Sequence, residues 1–184
     1  MEEKFYALLG IIGPLVAYLS IGISIFQSPW FSWERSALSD LGHSVDSNVA
    51  PIFNLGLSLA GFLIMIYILT TFRKYSKYTA IGFVVSSFFL QLIATFDEVY
   101  GFLHGVVSVL FFISLGITSL IHAYERKSIF SVIVFVIGFS SWVLYGLEIY
   151  NAGIAVPETI SSVSVMLLLV YSNIKIYFIK QKRE

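Results

Sequence analysis

The sequence predicts an all-α polytopic membrane protein, a six-transmembrane-helix bundle forming one domain over residues 1–184, with both termini cytoplasmic. Three observations predict it. Of 184 residues, 58% are hydrophobic and only 12% charged, whereas a soluble domain carries about 25% charged and about 45–50% apolar residues. Mean hydropathy is +0.87. Six windows are apolar over the roughly 20 residues that a hydrocarbon core about 30 Å thick requires. The same arithmetic excludes other classes. A disordered chain would carry too little apolar surface. Lys+Arg and Asp+Glu are both 11, so no basic excess points to nucleic acid. With 0 cysteines, disulfides, thiolate catalysis, iron–sulfur clusters and Cys-rich zinc sites are ruled out.

The windows run 6–26, 51–71, 79–96, 102–124, 129–149 and 157–179. The first is expected to stay as a span. It is too long for a signal h-region, follows acidic Glu2 and Glu3, and lacks a small-residue cleavage site. Pro14 is expected to kink it. The second carries Asn54 and Ser58 near one end. The third places Ser87, Gln91, Thr95 and Glu98 on one helix face, since residues three, four, seven or eight apart share a face. The fourth aligns His104, Ser108, Thr118 and His122, and the fifth Ser141, Tyr145 and Glu148. In the sixth, Pro157 suits the first turn and Glu158 the positive end of the helix dipole. Connections are short apart from 27–50 and, less so, 150–156, so neighbouring spans are antiparallel.

Basic residues fix the expected orientation. Lys4, Arg73, Lys74, Lys77, Arg126, Lys127, Lys175, Lys180, Lys182 and Arg183 fall on the side of the termini; only Arg35 falls on the other. Glu34, Asp40, Asp46, Asp97, Glu98, Glu148 and Glu158 gather at or near the opposite, outer face. A multi-pass protein of the cell membrane is expected, in contact with membrane lipids, including anionic ones at the basic face.

Polar residues inside spans are costly and turn toward the bundle interior or a cavity. Ser and Thr are accounted for as interhelical glue, at about 0.6 kcal/mol each. Gln91, His104 and Glu148 carry larger polar heads. The first outer loop holds Trp30, Phe31 and Trp33, suited to an interfacial aromatic belt. In it, Ser39-Asp40-Leu41-Gly42 reads as a capped turn, with Asp40 bonding the backbone and Gly42 supplying an unusual dihedral. His43 lies three residues beyond Asp40, within reach of a local pair. The alternative for this loop is a cover folded over an outer cavity. Next, Asp97 and Glu98 precede His104, a set that can supply an acid/base pair or metal ligands; solvation in a turn is the plainer account. Gly101 and Gly105 form a GxxxG packing signal.

Several chemistries are excluded. His104 and His122 lie about 27 Å apart along one helix and cannot clasp one haem. No HExxH, P-loop or G-x-S-x-G motif occurs. Neither a ring of charges nor an inverted repeat is visible.

Ser39-Asp40-Leu41-Gly42, the Gly-x-x-His-Gly opening of the fourth span, the Ser108–Phe112 run and Gly153-Ile-Ala-Val-Pro-Glu158 resemble the archaeal branch of the integral membrane family of domain of unknown function 998. The resemblance covers essentially the whole chain. It implies a six-helix membrane protein and no established activity, substrate or cofactor. Related sequences carry Phe-Pro where this chain has Phe96-Asp97, which makes the local site more anionic. A more distant likeness is to membrane hydrolases of the alkaline-ceramidase and progestin-receptor type, which use a Ser, an Asp and three His around zinc. Here Ser39, Asp40, His43 and His104 are available, without the paired histidines of a late helix.

Two classes of function follow. One is a ligand or lipid-headgroup site open to the outer leaflet, lined by Asp40, His43, Gln91, Asp97, Glu98, His104, Glu148 and Glu158, with Asp40, His43 and His104 as candidates for chemistry. The other is a non-catalytic accessory subunit, or a small-solute transporter with Gln91, His104 and Glu148 along its path. Whether the chain is an enzyme, and which metal or cofactor it takes, is unknown at this level. A membrane-protein partner or a homo-oligomer is compatible with either.

Overall fold

A computed structural model describes residues 2–181, with side chains from 6 to 177. Six helices follow in order: α1 (Glu2–Phe26), α2 (Ala50–Thr70), α3 (Lys77–Thr95), α4 (Phe102–Arg126), α5 (Ile129–Gly146) and α6 (Ala155–Gln181). Short 3-10 turns occupy Ser39–Gly42, Phe72–Lys74 and Glu98–Tyr100, and no strand occurs among the described residues. All six helices are long and apolar enough to cross a membrane, as the hydropathy pattern predicts. The chain is a multi-pass membrane protein.

The element ends have local causes. α5 stops at Gly146 rather than near 149 because Glu148 turns left-handed, with φ of 53°. Its N–H then donates to the Tyr145 carbonyl, and the Ile149 N–H reaches back to the Leu144 carbonyl at 3.1 Å. That pair of bonds closes a helix when the residue after its cap turns left-handed. Lys127 (φ 49°) closes α4 the same way, with the Ser128 N–H on the Ala123 carbonyl. α1 runs unbroken through Pro14.

The bundle is apolar outside and hydroxyl-rich inside. Phe26 and Phe102 are 88% and 89% exposed, while Ser24, Thr118 and Ser131 are fully buried. A soluble protein could not tolerate such a surface, but hydrocarbon can surround it. Several interior hydroxyls satisfy themselves on a carbonyl one turn back, as Thr118 does on Ser114 at 2.6 Å and Ser164 on Ile160 at 2.7 Å. Small residues then let the helices approach. Gly56 faces Ser20, Gly82 faces Thr118, and Gly61 faces Gln91.

Consecutive helices pack side by side, most intimately α1 on α2, and α6 closes the ring against α1 and α4. The α4–α5 seam is the loosest of the consecutive pairs. At the end of the bundle holding the termini, Glu125 accepts from the Ser76 hydroxyl at 2.6 Å and from the Tyr78 and Thr79 amides. It thereby caps α3 from α4. At the other end, the 27–49 connection folds back over the helices. The Gly153 N–H donates to the Trp33 carbonyl at 2.8 Å, and the Ala155 N–H to the Ser36 carbonyl at 3.0 Å. Leu38 and Leu41 are buried beneath it.

Candidate functional site

The folded-back connection gives the loop end of the bundle its chemistry. Asp40 uses one carboxylate oxygen to accept the Ala37 N–H at 2.9 Å, so it does bond backbone, but ahead of the Ser39–Gly42 turn, whose N-cap is Leu38 and carries no side-chain cap. Gly42 serves a different purpose. Its φ is not positive; instead, a Cβ there would collide with Asn54 Oδ1 and the Phe53 ring. Asn54 holds the turn by donating to the Gly42 carbonyl at 2.8 Å. His43 pairs with Asp46 rather than with Asp40: its Nδ1 accepts the Asp46 N–H at 3.1 Å and lies 3.4 Å from the Asp46 carboxylate.

Across from this turn stands the α3–α4 connection. Asp97 is buried and accepts the Val99 N–H at 3.1 Å, which starts the Glu98–Tyr100 turn. Gly101, with φ of 50°, redirects the chain into α4. Glu98 projects back and meets Asp40 within hydrogen-bonding reach. Burial first, then the Asp40 carboxylate, pushes the Glu98 carboxyl up from 4.5 to about 7, with His43 opposing and Asp97 adding to the rise. The charged form loses hydration and gains like-charged neighbours, so both effects favour the protonated acid.

His104, one turn into α4, is buried. Its Nδ1 lies 2.8 Å from the Phe96 carbonyl, which can only accept, so Nδ1 carries the proton. Nε2 is then an acceptor, facing the Ser108 hydroxyl at 3.3 Å. Glu158, in the first turn of α6, is 8% exposed and accepts the Leu38 N–H at 2.7 Å through Oε2. Among the described residues, Oε1 has no protein hydrogen bond.

Three cavities meet here. A central one of about 130 Å³ lies among α1, α2, α3, α4 and α6. A groove of about 620 Å³ runs between α4, α5 and α6, from Glu98 and His104 down to Leu120. It borders the exposed side chains Val109, Ile113, Ile117 and Phe139, so it opens sideways from the bundle. Ser39, Ser108 and Glu158 line both. A shallower, polar cavity of about 410 Å³ is lined by Trp30, Asp40, His43, Asp46 and Glu98. Glu98 thus stands between the groove and the polar cavity.

The fold therefore brings Asp40, His43, Glu98, His104 and Glu158 to one end, with Asp97 shaping the turn behind them. It leaves two predicted residues apart. Gln91 bonds the Ser87 carbonyl at 3.2 Å and packs on Gly61 in the α2–α3 seam. Glu148 is exposed and serves the left-handed turn that ends α5. Gly101 and Gly105 make no helix-packing contact, since a Cβ on either would meet open space; Gly105 lines the groove instead. Among the described residues, no three His, Cys, Asp or Glu side chains are grouped to hold a metal ion.

Sequence reasoning missed the groove's apolar walls. Phe112 and Trp142 bridge α4 and α5 with ring centres 5.0 Å apart, and the Trp142 indole N–H donates to Ser161 at 3.2 Å. In sequence, a wall residue and a lipid-facing residue look alike. Only the Trp142–Ser161 bond marks an inward face, and nothing in the spacing announces it.

No curated protein and no solved structure matches the chain. The family described as "Protein of unknown function (DUF998)" matches residues 11–172. With nearly the whole described bundle inside that match, the chain belongs to this DUF998 family.

Proposed function

We propose that this protein binds a membrane lipid, taking its chain into the α4–α6 groove and its head among Glu98, His104 and Glu158. The observation that carries the reading is the shape of the site. An apolar groove of about 620 Å³ open to the side ends on two carboxyls and a histidine. Pockets that bind ligands are mostly apolar with a few placed polar groups. From His104 to Leu120 the groove follows α4 for about 24 Å, longer than the roughly 15 Å of hydrocarbon in one leaflet. We place the loop end outward, in the outer leaflet of the cell membrane, because the basic residues lie ten to one at the opposite end. The Ser-Asp-Leu-Gly and Ala-Val-Pro-Glu motifs support a position in the archaeal branch of the family.

The test is native mass spectrometry of protein purified in mild detergent, with Gly105→Leu alongside. Gly105 faces open space and lines the groove, so leucine fills the groove without disturbing a helix contact. The reading expects one lipid adduct per chain in the unaltered protein and none in Gly105→Leu. A bare chain in both, or a second protein at fixed ratio, supports an accessory subunit instead.

A further inference from the structure

We infer that the head this site selects is cationic: the ligand is a long-chain amine or another lipid bearing an N–H ammonium, with the ammonium set between Glu98, His104 and Glu158. The inference rests on the lipid-binding reading and names its ligand class.

The polar atoms at the groove's head end offer lone pairs and hold few free hydrogens. His104 spends its ring N–H on the Phe96 carbonyl, which leaves Nε2 as an acceptor. The Ser108 hydroxyl sits on that Nε2. The Ser161 hydroxyl donates to the Pro157 carbonyl at 2.6 Å, and its oxygen already accepts from Trp142. Glu158 is more than nine-tenths buried, its bond to Leu38 uses Oε2, and it lines the groove together with Glu98. An acceptor that a ligand shuts off from solvent without giving it a donor costs about 1–3 kcal/mol, so a ligand that brings hydrogens is favoured over one that brings more lone pairs.

Charge narrows the choice from donors to cations. Asp40 and Asp46 face Glu98 from the 27–49 connection, along with His43. Asp97 faces it from its own turn, His104 from α4, and Glu158 from α6. No Lys or Arg lines any of the three cavities. A phosphate, sulfate or carboxylate head would bring another negative charge to a site crowded with acids and without a Lys or Arg to meet it. An ammonium would meet opposite charge, and the Trp30 ring of the adjoining cavity adds a π face that attracts cations.

Dodecylamine, dodecanol and dodecyl phosphate share one chain and differ in head. Titrated at one pH into the delipidated full-length protein in maltoside detergent, they are to be read as adducts by native mass spectrometry. The inference expects dodecylamine to bind at least ten-fold more tightly than dodecanol, and dodecyl phosphate more weakly than either. Glu98→Gln and Glu158→Gln should each reduce the amine's advantage over the alcohol by about ten-fold, equivalent to about 1.4 kcal/mol. Glutamine at 158 keeps an acceptor for Leu38, and Glu98→Gln removes a charge without touching α6, so loss of fold in one variant leaves the other to decide. Equal binding of amine and alcohol, preferred binding of the phosphate, or an amine preference unchanged in both variants overturns the cationic head and leaves the groove reading intact. Failure of all three amphiphiles to give an adduct that Gly105→Leu removes overturns the lipid-binding reading itself.

Discussion

Glu158 accepts the Leu38 amide hydrogen at 2.7 Å across 120 residues of chain. One side chain therefore both fastens the 27–49 connection to the bundle and lines the cavities beneath it. Glu158→Ala leaves the Leu38 N–H buried without an acceptor, at a cost of about 1–3 kcal/mol. Glu158→Gln retains an oxygen at that place. The expected outcome is faster amide hydrogen exchange through 33–42 in Glu158→Ala and near-normal exchange in Glu158→Gln. Equal protection in all three proteins would show that the backbone bonds to Trp33 and Ser36 hold the connection unaided.

Glu98 makes stability depend on pH in a stated direction. Its carboxyl is raised from 4.5 to about 7, chiefly by burial and by Asp40, so the folded chain holds this proton more tightly than the unfolded chain does. A group of this kind stabilises fully below its unfolded value, and the stabilisation is lost as pH rises through the folded one. The unfolding temperature in detergent should therefore fall between pH 4.5 and about 7 on account of Glu98. Glu98→Gln, neutral throughout, should flatten that part of the profile. Identical slopes for the two proteins across this window would assign the dependence to other groups.

The spans and the acidic end are legible in the sequence because they rest on local quantities. A run of apolar residues reports a span wherever it occurs, and a carboxyl at a span boundary reports its level in the membrane. Facing partners are not local. The spacing puts Ser87, Gln91, Thr95 and Glu98 on one helix face, yet α3 ends at Thr95 and Glu98 stands in the separate Glu98–Tyr100 turn, so Gln91 meets Gly61 while Glu98 reaches the polar cavity. An extended residue, Asp97, separates the seam on α3 from the site. Glu148 has the charge and level of a site residue, but left-handed backbone is what its position requires. His43 was three residues from two aspartates, Asp40 and Asp46, and only the folded turn chooses between them.

Glu125 carries the same lesson at the other end, since its donors lie 46–49 residues away. It accepts from the Ser76 and Thr79 hydroxyls and from two amides that begin α3. Hydrogen bonds to a charged acceptor contribute about 1.5–3 kcal/mol each, and a lost helix cap about 1 kcal/mol. Glu125→Ala should lower stability by about 2–4 kcal/mol, measured as the unfolding transition in detergent. Retention of a lipid adduct should be unchanged, because Glu125 lines none of the three cavities.

Gly101 and Gly105 are one turn apart and both face open space, so space alone predicts equal tolerance of alanine. Backbone conformation separates them. Gly101 has φ of 50° and ψ of −111°, a region that a side chain enters at a cost of order 1–3 kcal/mol. Gly105 lies inside α4, where alanine is favoured over glycine by about 0.8–1.0 kcal/mol. Gly101→Ala should therefore destabilise the protein and Gly105→Ala stabilise it, as read from unfolding temperatures under one detergent condition. The contrast also tests the turn that delivers Glu98. If Gly101→Ala unfolds at the unaltered temperature, the α3–α4 connection adopts another path, and Glu98 need not meet Asp40.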